Sequence, residues 1–198
     1  MTDASVGDVP RTPDDWREYL VEYGREYVRT ANVCQREFMK PEHTSTCWFG
    51  PGPADERTIA ATEQRLGTRL PPTLRSFLAV SDGWSGMVAF FVDEILPCAG
   101  IGWLRDSGWG AELIEIYGEE GEGDDELREL LEMFRRALLI ADGEDIWLLD
   151  PGRTGEDGEW AGFHLAPGEG GYPDEYTSFA DLLHSRRLEH PKIIEAEG

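Results

Sequence analysis

Forty carboxylates, four histidines and three cysteines are the groups in this 198-residue chain that could support acid–base, metal or nucleophilic chemistry. Their spacing fits none of the usual arrangements. A zinc site draws on clustered Cys and His, and the chain has neither HExxH nor CxxC. His184 and His190 stand six apart with Arg186 and Arg187 between them, poor company for a cation. A calcium loop begun at Asp150 has its glycine, Gly155. Its third, fifth and twelfth positions are Gly152, Thr154 and Ala161, so oxygen ligands are missing. A nucleophilic Ser or Cys needs a base and an orienting group, and no GxSxG elbow is present. The glycines gather in acidic loops such as GEEGEGDDE and GEGGYPDEY, where carboxylates oppose a phosphate, and no GKS or GKT follows. Forty carboxylates bring some pair close by chance, so a glycosidase-like pair has no specific support. The reading is a non-enzyme with no metal and no cofactor. An enzyme or small-ligand binder is the alternative that a deep pocket of perturbed carboxylates would favour.

What the residue types do favour is charge. The net charge is −22, which excludes direct nucleic-acid binding and docking on an anionic membrane, and favours a basic partner or plain solubility. The charge is uneven. Residues 111–198 hold 24 acids against seven bases, so −17 of the −22 lies there. Glu119, Glu120, Glu122, Asp124, Asp125 and Glu126 form one run without a base, and Glu144 and Asp145 form a second acidic turn. A helix N-terminus welcomes acids, which accounts for Asp124–Glu126 better than for Glu119–Glu122. The functional reading is a surface that steers a basic protein, with aromatic anchors to hold it. The candidate contacts are therefore Glu119, Glu120, Glu122, Asp124, Asp125, Glu144 and Asp145 with Trp84 and Trp103. Trp109 and Tyr172 also lie near turns; any one such aromatic is more often packing than anchor.

The elements that must position these residues follow from periodicity. Trp16, Tyr19, Leu20, Tyr23, Tyr27 and Val28 recur at helical spacing from Asp14, and the helix is expected to run to about Met39, with Pro41 as its stop. Residues 1–13 read as a frayed tail, and 41–54 as a Pro/Gly-rich loop. A helix over 55–66 closes at Gly67; Leu70-Pro71-Pro72 re-aims the chain into a second helix that ends at Asp82-Gly83. MVAFFV (87–92), EILP (94–97) and GWL (102–104) read as strands or edge segments, and ALLIAD (137–142), DIWLLD (145–150) and WAGFHL (160–165) as strands, the first two of these as a hairpin or close strand pair about Gly143. ELIEIY (112–117) fits strand or helix; LRELLEMF is helical. Ser178 and Asp181 form a capping pair before the last helix. The fold class is α+β: a mostly antiparallel mixed sheet with helices packed on one face, plus an N-terminal helical extension. No apolar run reaches membrane-helix length, the acidic N-terminus is no secretory signal, and Cys34, Cys47 and Cys98 read as free thiols, so the expected location is cytoplasmic.

IAATEQRLGTRLPPTLRSFLAVSDG resembles the opening motif of the SUKH superfamily, whose members include a yeast cell-wall-assembly regulator and bacterial immunity proteins. Ile59, Glu63, Leu66, Gly67, Leu70, Pro71, Phe77, Leu78 and Gly83 match in order and spacing. LLIADGEDIWLLD resembles the second motif and SFADLLHSRRL the closing helix. The resemblance covers about 48–190, which sets expected boundaries at 1–47 for an N-terminal tail and helix, 48–190 for the domain and 191–198 for a C-terminal tail. It implies a compact α+β domain without catalysis. It further implies an immunity protein that neutralises a cognate toxin, often a nuclease, of a bacterial polymorphic or contact-dependent system. The alternative is a regulatory scaffold without a toxin.

Overall fold

A computed structural model describes residues 9–37, 39–85, 92–120, 125–167 and 172–196. Helix α1 (Pro13–Thr30) starts at a reciprocal cap. The Thr12 hydroxyl accepts from the Asp15 N–H (3.3 Å), and the Asp15 carboxylate accepts from the Thr12 N–H (2.8 Å). The apolar stripe expected on α1 is buried: Trp16, Tyr19, Leu20, Tyr23 and Tyr27. The helix stops nine residues earlier than expected. Asn32 and Gln35 exchange backbone–side-chain hydrogen bonds of 2.9 Å each, a new cap that starts the short helix α2 (Val33–Glu37). Part of the expected loop is also helical: Pro41 occupies the first position of α3 (Pro41–Thr46).

Helix α4 (Glu56–Leu66) and helix α5 (Pro72–Leu78) form the frame expected of the Leu-Gly…Leu-Pro-Pro joint. Asp55 caps α4 by accepting from the Thr58 N–H and hydroxyl, both at 2.8 Å. Gly67 ends it at φ +71, where a side chain would be strained. Glu63 has a structural use: its carboxylate accepts from the Leu70 N–H (3.1 Å) and from Arg75 Nε (3.3 Å). It ties the two helices across their connection.

The described strands are β1 (Trp84–Ser85), β2 (Val92–Ile95), β3 (Gly102–Trp103), β4 (Leu138–Gly143), β5 (Ile146–Thr154), β6 (Trp160–Leu165) and β7 (Asp174–Tyr176). They form one sheet in the order β1-β2-β4-β5-β6-β7, with β3 also on β4, and every described pairing is antiparallel. The expected strand at 87–92 lies outside the described residues except for Val92. Between β3 and β4 the chain makes a 3-10 turn (Leu104–Asp106), then α6 (Gly108–Glu120) and α7 (Asp125–Arg136), so ELIEIY is helical. Ser178 caps α8 (Phe179–Ala196) by accepting from the Asp181 N–H at 3.0 Å.

The fold is α+β with an N-terminal helix, as expected. One detail differs: helices cover both faces of the sheet. Neighbouring strand residues point to opposite sides. A Cβ on Gly162 would lie 3.3 Å from Leu182 of α8, while the next residue, Phe163, shares a cleft with Leu130 and Met133 of α7. Strand β6 is accordingly buried along its whole length. The core runs continuously from α1 through the sheet to α8.

Candidate protein-interaction surface

Helix α7 is strongly two-sided, and that organises the acidic half. Leu130, Leu131, Met133 and Phe134 are buried, while Asp125, Glu126, Glu129 and Glu132 are exposed. Its first turn carries Asp125 and Glu126 and its last turn Arg135 and Arg136, so the charges complement the helix dipole. Arg136 anchors the helix to the sheet. Its Nε and Nη2 donate to the two oxygens of Asp150 at 2.6 and 2.7 Å, and the Gly152 N–H donates to the same carboxylate at 2.8 Å. Asp150 is fully buried, so this pairing is what its charge depends on.

Beside α7 lies a cleft of about 240 Å³. Leu130, Met133 and Phe163 provide an apolar lining; Glu126, Glu129 and Glu175 bring carboxylates, and Tyr172, 56% exposed, stands among them. Arg153 bridges the walls, donating to Glu129 (2.8 Å) and Glu175 (2.5 Å), with its guanidinium 5.8 Å from the Phe163 ring centre.

The expected contact residues fall in different settings. Asp125 is exposed at the start of α7 and pairs with Arg128 at 2.5 Å. Glu119 and Glu120 belong to the last turn of α6. Glu122 and Asp124 lie outside the described residues. Glu144 is exposed in the β4–β5 turn. Its neighbour Asp145 turns inward, 7% exposed, with Oδ2 2.7 Å from His164 Nε2. Asp174 approaches the other ring nitrogen at 3.7 Å. Trp84 is 1% exposed and packs edge-on against Trp48, a core position that presents nothing to a partner. Trp103 is half-buried, with the Arg105 guanidinium 5.4 Å from its ring. Trp109 donates from Nε1 to Asp142 (2.9 Å). Sequence reasoning missed Phe163, Arg153 and Glu175, which come together only through the pairing of β5, β6 and β7.

Two buried titratable groups with shifted affinities, Cys98 and Glu159, serve structure. Burial, reinforced by Asp82, pushes the Cys98 thiol up to about 12, so it stays protonated and unreactive. Burial also raises Glu159, whose two oxygens accept from the Thr73 N–H and hydroxyl at 2.8 Å each; it caps the start of α5. Among the described residues no three His, Cys, Asp or Glu side chains gather closely enough to hold a metal ion. The cleft is below the size of ordinary small-molecule sites, about 300–1,000 Å³. Among the described residues no helix is long and apolar enough to cross a membrane.

An α+β domain built on the Leu-Gly…Leu-Pro joint, with its polar chemistry spent on caps and ion pairs, agrees with what a comparison of families finds. The model of the SMI1 / KNR4 family (SUKH-1) matches residues 53–185. The chain belongs to this family. No curated protein matches it. SUKH-1 domains are known generally as immunity-type, non-catalytic proteins, and membership points to protein–protein interaction. The SUKH-1 match begins just before α4 and ends within α8. It therefore leaves out α1, although Trp16 of α1 packs against Phe77 and Phe179 at ring distances of 5.3 and 5.6 Å.

Proposed function

We propose that this SUKH-1 protein is a cytoplasmic immunity protein that binds and neutralises one cognate toxin, a basic domain of nuclease type from a bacterial polymorphic or contact-dependent system. The observation that carries this reading is the concentration of charge: 24 acids against seven bases in residues 111–198, with the acids of α7 turned outward. A nuclease domain must attract phosphates and is therefore basic, so an acidic protein can cover its substrate site. Asp125 and Glu144 are exposed members of the contact set; Glu119, Glu120, Glu122 and Asp124 belong to the same acidic stretch. Trp103, half-buried, is a candidate anchor, whereas Trp84 and Asp145 are buried and serve the fold.

The test is co-expression of each toxin-like gene adjacent to this one, with and without the protein. Rescue of growth by this protein, together with a stable complex of the purified pair, is the expected result. Failure to rescue from any neighbouring toxin overturns the toxin claim. Recovery instead of several endogenous proteins would point to a regulatory scaffold.

A further inference from the structure

The cleft beside α7 combines features that the overall acidity does not require. Its lining of Leu130, Met133 and Phe163 suits an aliphatic stem, and its carboxylates suit a cationic head. Its volume of about 240 Å³ is small, on the scale of a side chain and not of a cofactor. Arg136 is committed to Asp150; among the described residues lining the cleft the other guanidinium is that of Arg153, which pairs with Glu129 and Glu175, and Glu126 adds a third carboxylate. The cleft is therefore net negative with an apolar floor.

Arg153 also shows which cation the geometry suits. A planar guanidinium already spans Glu129 and Glu175 above an aromatic face. Both carboxylates remain exposed, 66% and 52%, and each has more acceptor capacity than the single bond from Arg153 uses. Tyr172 offers a second, exposed aromatic face on the same cleft. A guanidinium stacks on such a face and keeps its in-plane donors for carboxylates; an ammonium is a more strongly hydrated point charge without that fit.

We propose that this cleft seats one arginine side chain of the protein partner, stacked on Tyr172 and hydrogen-bonded to Glu129 and Glu175 alongside Arg153. The proposal rests on the reading that the partner is a basic protein. It adds where that partner is gripped and by which residue type.

The test uses the full chain, isotope-labelled, titrated with capped Gly-Arg-Gly, Gly-Lys-Gly and Gly-Glu-Gly peptides and followed by backbone amide shifts. The arginine peptide should move Leu130, Phe163 and Glu175, bind at least fivefold more tightly than the lysine peptide, and leave the glutamate peptide without effect. Tyr172→Ala and Glu175→Gln should each weaken arginine-peptide binding at least fivefold, with Glu144→Gln as an unchanged control. Tyr172→Ala leaves the Arg153 pairs in place, so a fold disturbed by Glu175→Gln does not decide the matter. Equal binding of arginine and lysine, shifts centred elsewhere, or undiminished binding by Tyr172→Ala overturns the proposal. The two readings fail separately. A toxin neutralised equally well by Tyr172→Ala removes the cleft and keeps the immunity function; an arginine peptide in the cleft with no toxin neutralised does the reverse.

Discussion

Two side chains carry consequences out of proportion to their size. Arg136→Met leaves the Asp150 carboxylate buried with, among the described residues, only the Gly152 N–H to balance it. An uncompensated buried charge costs about 3–5 kcal/mol, so urea denaturation should show a loss of that order. Adding Asp150→Asn should recover part of it, and a loss below about 1 kcal/mol would show the pair to be dispensable. His184 is buried, its Nδ1 lies 3.4 Å from the Tyr19 hydroxyl of α1, and its Nε2 has no hydrogen-bond partner among the described residues. Burial lowers its proton affinity, Arg187 lowers it further, and Asp181 opposes them weakly. The unfolded chain therefore takes up this proton near pH 6.5 while the folded chain resists. The stability this group contributes is complete above that pH and falls as pH drops below it. Melting temperatures between pH 7.5 and 5.5 should decline less in His184→Gln than in the parent; identical slopes would remove His184 from the account. Neither pairing was legible in the sequence. Arg136 and Asp150 are 14 apart and His184 is 165 from Tyr19, distances that only strand register and helix docking close.

At the scale of elements, the boundaries set by local chemistry were readable and those set by competition were not. Asp55, Gly67, Pro72, Ser178 and Asp181 each do what their residue type favours at a helix end. The break after Thr30 was hidden because the apolar stripe carries on to the end of α1, while the Asn32–Gln35 cap interrupts the backbone. ELIEIY alternates like a strand and folds as a helix because it packs beside α7, with Leu113 buried and Tyr117 edge-on to Phe134. The expectation of helices on one face failed to use a visible signal: the unbroken apolar run in β4 and β5 describes strands covered on both sides. Helix α1 matters most here, because it lies outside the family match yet completes the core. Trp16→Ala removes a side chain with no exposed surface and should cost about 3–5 kcal/mol in chemical unfolding. A cost under about 1 kcal/mol would make α1 a detachable appendage.

For the whole molecule, the sequence showed the acidic imbalance and the family, and it could not show that carboxylates, an arginine and two aromatics converge on one cleft. Charge at this scale acts mainly on encounter. The association rate with the partner should fall about tenfold or more between low and high salt, while dissociation changes little, as stopped-flow measurements would show. A flat dependence would remove steering from the mechanism. The contact of Trp16 with Phe179 has a further consequence, for synthesis. At ribosomal rates of about 5–20 residues per second, α8 follows α1 by on the order of ten seconds. Throughout that interval the newly made aromatic stripe of α1 has no α8 to close on. A chain stalled before Phe179 would have α5 to cover part of this stripe but would leave the side that meets α8 exposed, so the core around Trp16 closes only when α8 has been made.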